Sequence, residues 1–422
     1  MIFCMRYYST NNPTLRVSCR EAVLSGLAPD GGLYMPESVP SGTDAFFEFF
    51  SQDVTREVFD EILRDAVNFP IPLVKLTDRI SVLELFHGPT LAFKDVGARF
   101  MARLLAYFIA QTKKEVTILV ATSGDTGSAV AHGFFNVPHV RVVILYPSGK
   151  VSEIQEKQLT TMGGNITAME VSGVFDDCQR LVKQAFLDVE LSQRLGLTSA
   201  NSINIARWIP QATYYFSAFT QLSTSSFAST IISVPSGNFG NLAAGLLAKR
   251  MGLAVNRFVA ATNVNDVVPE YLRTAIFSPR ASVPTISNAM DVGNPSNLSR
   301  IMQLYPNIED LRRDVVGISV SDQQTRSTIS SVYDELGYVL DPHGAVGYTA
   351  LIQELERNPE AQGIFFATAH PAKFLDVVES CIGRSAEIPE RLAVCLQKQK
   401  QAIACSTDFS AFKKRLLNLS IH

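Results

Sequence analysis

Residues 116–127 read VTILVATSGDTG, and this stretch decides the class of fold. Its first half is a short apolar run rich in β-branched residues, and its second half is a polar loop that contains glycine. A helix-like stretch follows from Ser128. A strand without a polar face that leads through such a loop into a helix is typical of a parallel sheet covered by helices on both sides.

The same rhythm recurs along the chain. Further short apolar runs that predict buried strands are Val140–Tyr146, Ile231–Val234, Arg257–Ala261 and Ile364–Ala367. Helix-like segments separate these runs, and one of them, Leu242–Met251, follows the run at 231–234 directly. The pattern predicts an α/β protein with a mostly parallel sheet.

Ligands in such sheets bind at the carboxyl ends of the strands, in the loops that lead into helices. Three loops of this sequence meet that description: SGDTG at 123–127, SGNFGN at 236–241 and the segment 368–373. We therefore expect the functional site to be assembled from these loops.

The length of 422 residues predicts two or three packed units. Residues 1–80 lack the strand–loop–helix rhythm and are predicted to form a separate N-terminal unit, before a core at 81–400. Within the core we expect two α/β subdomains, at 113–222 and at 81–112 plus 223–400. Residues 401–422 carry several basic side chains and are predicted to be a solvated helical tail.

Charge and composition exclude several classes of protein. The 37 basic and 40 acidic residues give a net charge of -3, which provides no electrostatic footprint for nucleic acid or an anionic membrane. No run reaches the roughly 18–20 apolar residues of a membrane span. The six cysteines are sparse and form no CxxC pair, so we expect no metal site and reduced thiols in a cytoplasmic protein.

One lysine stands at a predicted helix start. In FHGPTLAFKD, residues 86–95, a Gly-Pro turn leads through an apolar stretch to Lys94, and Asp95 occupies the position expected for a helix N-cap. A lysine removed from water at such a place would have a lowered pKa, as a Schiff-base amine requires. The alternative is an ordinary surface lysine, and the segment alone does not exclude it.

The two glycine loops suit anions, because backbone N–H groups at a helix start can surround a phosphate. In SGNFGN that interpretation and a plain tight turn are equally supported. In the 122–127 loop, Thr122, Ser123 and Thr126 add hydroxyl donors. Asp125 adds a carboxylate, whose simpler role would be an N-cap of the next helix.

The segment NSINIAR at 201–207 gathers two amides, a hydroxyl and one arginine. Arg207 has the geometry to bind a phosphate through two parallel hydrogen bonds. A surface ion pair is the commoner role of an arginine and stays open here.

Together these segments resemble one family. The six stretches FHGPTLAFKD, ATSGDTG, SANSINIAR, SVPSGNFGN, SNAMDVGNPSN and ATAHPAKF occur in the order found in threonine synthase of the longer bacterial and fungal branch. The opening block AVLSGLAPDGGLYMPE at 22–37 resembles the N-terminal domain of that family. The resemblance begins near Tyr7, so we expect no cleaved targeting peptide and a start at Met1 or Met5.

The resemblance implies the tryptophan-synthase-β-like fold of pyridoxal 5'-phosphate (PLP) enzymes, fold type II, and assigns the site residues. Lys94 would bind the cofactor as a Schiff base, Thr368 would face its pyridine nitrogen, and Asp125 would stand near its phenolic oxygen. The cofactor phosphate would be held by Gly237, Asn238, Phe239, Gly240 and Asn241. The substrate would be held by Thr122, Ser123, Thr126, Asn201, Ser202, Asn204 and Arg207.

The resemblance also implies the reaction, in which O-phospho-L-homoserine and water become L-threonine and phosphate by γ-elimination and β-addition. This is the last step of threonine biosynthesis. The alternatives are a phospho-lyase or serine/threonine dehydratase of the same fold, a PLP-binding protein without catalysis, or a nucleotide-binding kinase. The kinase is disfavoured because neither glycine loop has the lysine of a P-loop. The sequence leaves open whether the protein is a monomer or a homodimer.

Overall fold

The computed structural model describes residues 5–112 and 114–419, apart from the side chain of Ser225. Met1, one of the two predicted starts, and the last three residues of the predicted tail lie outside these ranges. The described residues form fourteen strands: β1 (Tyr7–Ser9), β2 (Arg16–Val17), β3 (Tyr34–Pro36), β4 (Leu73–Lys75), β5 (Ile80–Glu84), β6 (Val116–Ala121), β7 (Val140–Pro147), β8 (Ile166–Val171), β9 (Leu197–Thr198), β10 (Thr230–Pro235), β11 (Arg257–Thr262), β12 (Val315–Ser319), β13 (Gln362–Ala367) and β14 (Ile403–Cys405).

The same ranges contain nineteen α-helices: α1 (Cys19–Ser25), α2 (Ala45–Glu48), α3 (Arg56–Ala66), α4 (Lys94–Thr112), α5 (Asp125–Phe134), α6 (Glu153–Thr160), α7 (Phe175–Leu187), α8 (Val189–Leu195), α9 (Ile205–Trp208), α10 (Ala212–Thr220), α11 (Gly240–Arg250), α12 (Val267–Thr274), α13 (Leu298–Leu304), α14 (Ile308–Asp314), α15 (Asp322–Leu336), α16 (Pro342–Arg357), α17 (Leu375–Ile382), α18 (Glu390–Leu396) and α19 (Phe409–Leu419). Short 3₁₀ segments lie at Ile209–Gln211, Thr224–Ser229, Asn288–Met290 and Pro371–Phe374.

The strands form three sheets. A six-stranded sheet has the order β12-β11-β10-β13-β5-β4, and all its neighbouring pairs are parallel except β4 with β5. A five-stranded sheet, β14-β8-β7-β6-β9, is parallel throughout. The predicted apolar runs all form strands of these two sheets, so the α/β class is confirmed. The third sheet, β2-β1-β3, is antiparallel and lies in the N-terminal unit.

Helix α4 lies at the centre of the molecule. It is buried on most of its surface, and Val96, Phe100 and Leu104 are among its buried side chains. It begins at Lys94, so Asp95 is its second residue and not the N-cap that we expected. The Asp95 carboxylate instead accepts hydrogen bonds from the backbone N–H and the hydroxyl of Thr90, at 2.9 and 2.6 Å. This pair closes the turn that precedes the helix.

The N-terminal unit shares its core with α4. Phe49 and Phe50 are fully buried in the same apolar cluster as Phe100, and the rings of Phe50 and Phe100 are 5.1 Å apart. Burying aromatic side chains at this junction contributes roughly 25 cal/mol for each Å² removed from water. The unit therefore supports the helix that presents Lys94.

The structure differs from the predicted division at both ends of the core. Strand β4 lies within the predicted N-terminal range but pairs with β5 in the six-stranded sheet. Strand β14 lies in the predicted solvated tail but pairs with β8, and the next helix, α19, buries Phe412 and Leu416. These two side chains are four residues apart and lie on one face of α19, which packs against α7 and α8 and joins the apolar cluster of the five-stranded sheet.

Within the described ranges, no helix has the length and apolar character needed to cross a membrane.

Candidate active site

The carboxyl ends of three neighbouring strands meet at one edge of the six-stranded sheet. β10, β13 and β5 lie side by side, and each leads into one of the motif segments: 236–241, 368–373 and 86–94. The last two segments are joined through their backbones, because Phe93 N–H donates to the Thr368 carbonyl at 2.9 Å and His370 N–H donates to the Leu91 carbonyl at 3.1 Å. Lys94 is thus fixed beside Thr368.

Lys94 lies near the start of α5, the helix that follows β6 of the five-stranded sheet. Its side chain is 18% exposed, and its Nζ lies 3.6 Å from Asp125 Oδ2, which is longer than a hydrogen bond. Burial lowers the pKa of Lys94, and the nearby charges of Lys373 and Arg207 lower it further, against the opposing effect of Asp125. The ordinary surface lysine considered from the sequence is therefore not what the structure shows.

Asp125 follows β6 and is the first residue of α5; the N-cap is Gly124. The Asp125 carboxylate does not cap the helix. Its Oδ1 binds Lys373 Nζ at 2.6 Å and accepts a hydrogen bond from Gln155 Nε2 at 2.8 Å. Burial alone would raise the pKa of Asp125, but Lys373 and Lys94 together hold it below its ordinary value. Asp125 is therefore a buried carboxylate ion that links α5 to the segment 368–373.

The loop after β10 has the geometry of an anion site. Among the described residues, the backbone N–H groups of 237–241 have no hydrogen-bond acceptor, and they surround the start of α11. Phe239 occupies the left-handed region with φ of 58°. A Cβ on Gly237 would lie 2.6 Å from the Ala289 carbonyl oxygen, so the loop needs glycine there. Unpaired N–H groups at a helix start fit a phosphate such as that of PLP.

The side chains of this loop have separate roles. Asn241 points into the protein, where its amide accepts from Ser236 Oγ and donates to the Pro235 carbonyl. Asn238 points outward, donating to Ser202 Oγ at 2.8 Å and accepting from Ser296 N–H at 2.6 Å. Asn241 can therefore contribute only its backbone to an anion, while Asn238 joins the loop to the 201–207 segment.

In the loop after β6, one hydroxyl group is bound within the loop and two others have no partner among the described residues. Thr122 is buried, and its hydroxyl is occupied by Gly124 N–H and Gly127 N–H, at 3.0 and 2.8 Å. Ser123 and Thr126 are half-buried, and neither hydroxyl has a hydrogen bond to the described part of the protein. Ser123 and Thr126 are thus the residues of this loop with groups available to a ligand, and Thr122 holds the loop in shape.

The 201–207 segment approaches the loop after β6 through Asn201, whose Nδ2 donates to the Ala121 carbonyl at 3.1 Å. Asn204 does not face the cleft. It is fully buried, its Nδ2 donates to the carbonyls of Val23 and Ser199, and its Oδ1 caps α9. Because all its polar atoms are occupied, we leave Asn204 out of the substrate set that the resemblance implied.

Arg207 is buried, and it forms no ion pair with any carboxylate of the described residues. Its guanidinium donates to the Ala200 carbonyl, and its Nε is buried without a partner. Burial lowers the pKa of Arg207 to about 10. The surface ion pair considered from the sequence is absent, and a buried guanidinium without a counter-ion favours the binding of an anion.

Thr368 is 7% exposed, and its hydroxyl has no hydrogen-bond partner among the described residues. The neighbouring histidines are held by other groups. His343 binds Asp341 at 2.6 Å, and His87 binds Glu84 at 2.7 Å. His370 accepts from Ala372 N–H, and burial lowers its pKa to about 4. The three histidines are therefore engaged in contacts within the protein.

Four residues of the site were not predicted from the sequence: Gln155, Asn297, Arg300 and Lys373. Arg300 is fully buried, donates to the carbonyls of Ser202 and Ile203, and stacks 4.6 Å above the Trp208 ring. Asn297 donates to Ser202 Oγ at 3.1 Å. Asn297 lies in the motif SNAMDVGNPSN and Lys373 lies in ATAHPAKF. Their position in these motifs could have identified both as candidate site residues.

Comparison with known proteins agrees with this site. A family model described as a pyridoxal-phosphate dependent enzyme matches residues 69–366. Models of the threonine synthase N terminus and of its C-terminal region match residues 6–81 and 344–415. Threonine synthase of Escherichia coli is 44% identical over 98% of this chain and 100% of its own length, and its crystal structure superposes with a TM-score of 0.92.

Two further solved structures extend the comparison. PLP-bound threonine synthase from Brucella melitensis is 33% identical, with a TM-score of 0.90 over 99% of this chain and 100% of that one. A threonine deaminase from Solanum lycopersicum is 17% identical, with a TM-score of 0.56 over 82% of this chain and 90% of that one, and shows the same fold.

The fold and the site define a PLP-dependent enzyme of fold type II. The loop at 237–241 and the partly buried lysine fit the phosphate and the aldehyde of that cofactor. Within this class the chain belongs to the threonine synthase family, which the matches cover over nearly its whole length.

Proposed function

We propose that this enzyme converts O-phospho-L-homoserine and water into L-threonine and phosphate. The proposal is supported by two sets of hydrogen-bond donors that lack an acceptor or a counter-ion among the described residues. The backbone N–H groups of 237–241 have no acceptor, and the buried Arg207 has no carboxylate partner and leaves its Nε unsatisfied. A reaction with one phosphate on the cofactor and one on the substrate needs both.

Four groups of the cofactor would each meet a different part of the protein. The 237–241 loop would bind its phosphate through backbone N–H groups. The Thr368 hydroxyl would donate to its ring nitrogen, which keeps that nitrogen largely unprotonated. Asp125 would stand near its phenolic oxygen, and Lys94 would bind its aldehyde covalently.

The substrate phosphate would be bound by Arg207, Ser123 and Thr126, with Asn201 and Ser202 completing the pocket. A phosphate taken up from water in every cycle favours a charged donor over backbone groups alone. Arg207 would also contact the phosphate as charge develops on it during departure, which is where binding accelerates a reaction.

Lys94 would be the proton carrier. Once the substrate amine displaces it, the free Lys94 amine takes the proton from the substrate Cα and later returns one there. When bound, PLP would supply the electron sink that makes the proton on the substrate Cα acidic. The net reaction is that of a lyase that releases phosphate and forms L-threonine. It would be the last step of threonine biosynthesis.

Purified protein incubated with PLP and O-phospho-L-homoserine tests the proposal. Equal amounts of L-threonine and free phosphate are expected, and Lys94→Ala should form neither. A 2-oxo acid with ammonia would instead identify a dehydratase or phospho-lyase. Cofactor absorbance without turnover would identify a PLP-binding protein without catalysis. O-phospho-L-serine and O-phospho-L-threonine serve as competing substrates in the same assay.

We also propose that the enzyme works in the cytoplasm. Support comes from the sparse cysteines of the sequence, and Cys19, Cys178, Cys381, Cys395 and Cys405 are all free thiols in the structure.

A further inference from the structure

The Asp125 carboxylate lies between two lysines that are bound in different ways. Lys373 Nζ contacts Asp125 Oδ1 at 2.6 Å and donates to the Thr90 carbonyl at 2.9 Å, and its side chain is completely buried. Lys94 Nζ is 3.6 Å from Asp125 Oδ2, and its side chain remains partly exposed to the cleft. Lys373 is therefore the tightly held partner, and Lys94 is the loosely held one.

A buried carboxylate must be compensated by a positive charge. If Lys94 were the only cation near Asp125, the carboxylate would hold it as an ammonium ion. An ammonium ion has no lone pair and cannot attack an aldehyde. Because Lys373 already compensates Asp125, the site reaches charge balance when Lys94 loses its proton.

We propose that Lys373 is a positioning residue that binds Asp125 permanently and thereby leaves the Lys94 amine free to capture the cofactor. The inference deepens the proposed function, since it rests on Lys94 being the lysine that binds PLP. Capture joins the Lys94 nitrogen to the aldehyde carbon and releases one water. The proton of the ammonium form leaves to solvent before the attack.

The other charged groups around the site agree with this role. Arg207 on α9 is a second cation that acts on Lys94, and it lowers the Lys94 pKa together with burial and Lys373. Asp95 is held by the N–H and hydroxyl groups of Thr90. His370, on the same segment as Lys373, has a lowered pKa through burial and carries no charge at neutral pH. Asp125 is thus the carboxylate that acts directly on Lys94.

The test is the pH dependence of covalent capture. Cofactor-free protein is mixed with saturating PLP at a series of pH values, the adduct is trapped with borohydride, and the label on Lys94 is counted by peptide mass spectrometry. The parent protein should give a midpoint well below the ordinary lysine pKa of about 10.4. Lys373→Met should raise the midpoint by about one pH unit, which corresponds to about tenfold less unprotonated Lys94 at neutral pH.

A double variant separates charge from packing. Asp125→Asn with Lys373→Met removes both charges, so the midpoint should return to the parent value or below it. If Lys373 mattered only for packing, the double variant would keep whatever change the single variant showed. Lys400→Met is the matched control, because Lys400 is also ion-paired, to Glu156 and Glu170, but not at this site. Its midpoint should equal that of the parent.

The outcomes distinguish this inference from the proposed function. Label on another lysine would overturn the assignment of Lys94 and with it the inference. Label on Lys94 with equal midpoints for parent and Lys373→Met would overturn the role of Lys373 alone. Should Lys373→Met fail to fold, Lys373→Gln removes the same charge. A parent midpoint at the ordinary lysine value would refute the inference without any variant.

Discussion

Asn238 and Ser202 are hydrogen-bonded to each other, with Asn238 Nδ2 donating to Ser202 Oγ over 2.8 Å. The same hydroxyl accepts from Asn297 Nδ2 at 3.1 Å. Ser202 therefore belongs to two structures at once, the segment proposed for the substrate and the loop proposed for the cofactor phosphate. We therefore expect a substitution in the substrate segment to affect cofactor binding, and a substitution in the cofactor loop to affect substrate binding.

Ser202→Ala should weaken both PLP binding and turnover. The substitution leaves Asn238 Nδ2 without an acceptor, whereas Asn297 Nδ2 keeps the Asn238 carbonyl at 3.0 Å. An unsatisfied donor costs about 1–3 kcal/mol, or roughly 5- to 150-fold. Fluorescence titration with PLP and steady-state kinetics measure the two effects. Ser123→Ala is the control, because its hydroxyl has no partner in the described protein and should affect substrate KM alone. An unchanged PLP affinity in Ser202→Ala would show that the coupling is absent.

Gly240→Val should reduce PLP affinity strongly, whereas Gly240→Ala should reduce it only slightly. A Cβ on Gly240 would lie 3.3 Å from both Asn297 Nδ2 and Ser202 Cβ, which is tight but can relax. The two further methyl groups of valine would push these side chains away and displace the unpaired N–H groups of the loop. Equilibrium titration with PLP tests the series. If only substrate KM changed, the loop would bind the substrate phosphate instead.

Arg207→Ala should lower kcat/KM for O-phospho-L-homoserine by roughly 10- to 100-fold, the loss of about 1.5–3 kcal/mol expected for a charged hydrogen bond. The visible spectrum of bound PLP should be retained. Arg207→Lys keeps the charge but not the paired donors, so an intermediate loss is expected. Arg194→Ala removes an exposed arginine that pairs with Glu190 and should be silent. Unchanged kinetics in Arg207→Ala would indicate that Ser123 and Thr126, and not Arg207, bind the substrate phosphate.

Phe412→Ala should destabilise the folded protein by about 3–5 kcal/mol, because it leaves a cavity where a fully buried ring fills the apolar cluster that α19 shares with α7 and the five-stranded sheet. Urea unfolding followed by circular dichroism measures the change. Lys414→Ala, at an exposed position of the same helix α19, is expected to change stability by less than about 0.5 kcal/mol. Equal stability of the two variants would mean that α19 is the solvated tail predicted from the sequence.

Local patterns were sufficient for the class of fold and for the position of the main site loops. Apolar runs such as 116–121 and 231–234 predict buried strands, since strands covered on both faces exclude polar side chains. Glycines after such runs place backbone N–H groups at helix starts. Because ligands bind where parallel strands lead into helices, the sequence predicted a site built from the loops at 123–127, 236–241 and 368–373. Lys94 was assigned to that site through the family resemblance, and the tertiary structure showed that the loop at 123–127 comes from a different sheet.

Only the tertiary structure showed which residues and strands pair with each other. The sequence showed that Asp125 carries a carboxylate, but not that Lys373, far away in the chain, compensates it. It showed an amide-rich segment at 201–207, but not that Asn204 turns inward while Asn201 and Ser202 face the other loops. It also did not show that residues 403–405 add a strand to a sheet. A local pattern records which groups a residue offers, whereas ion pairs, inward orientation and strand pairing depend on which distant segment packs against it.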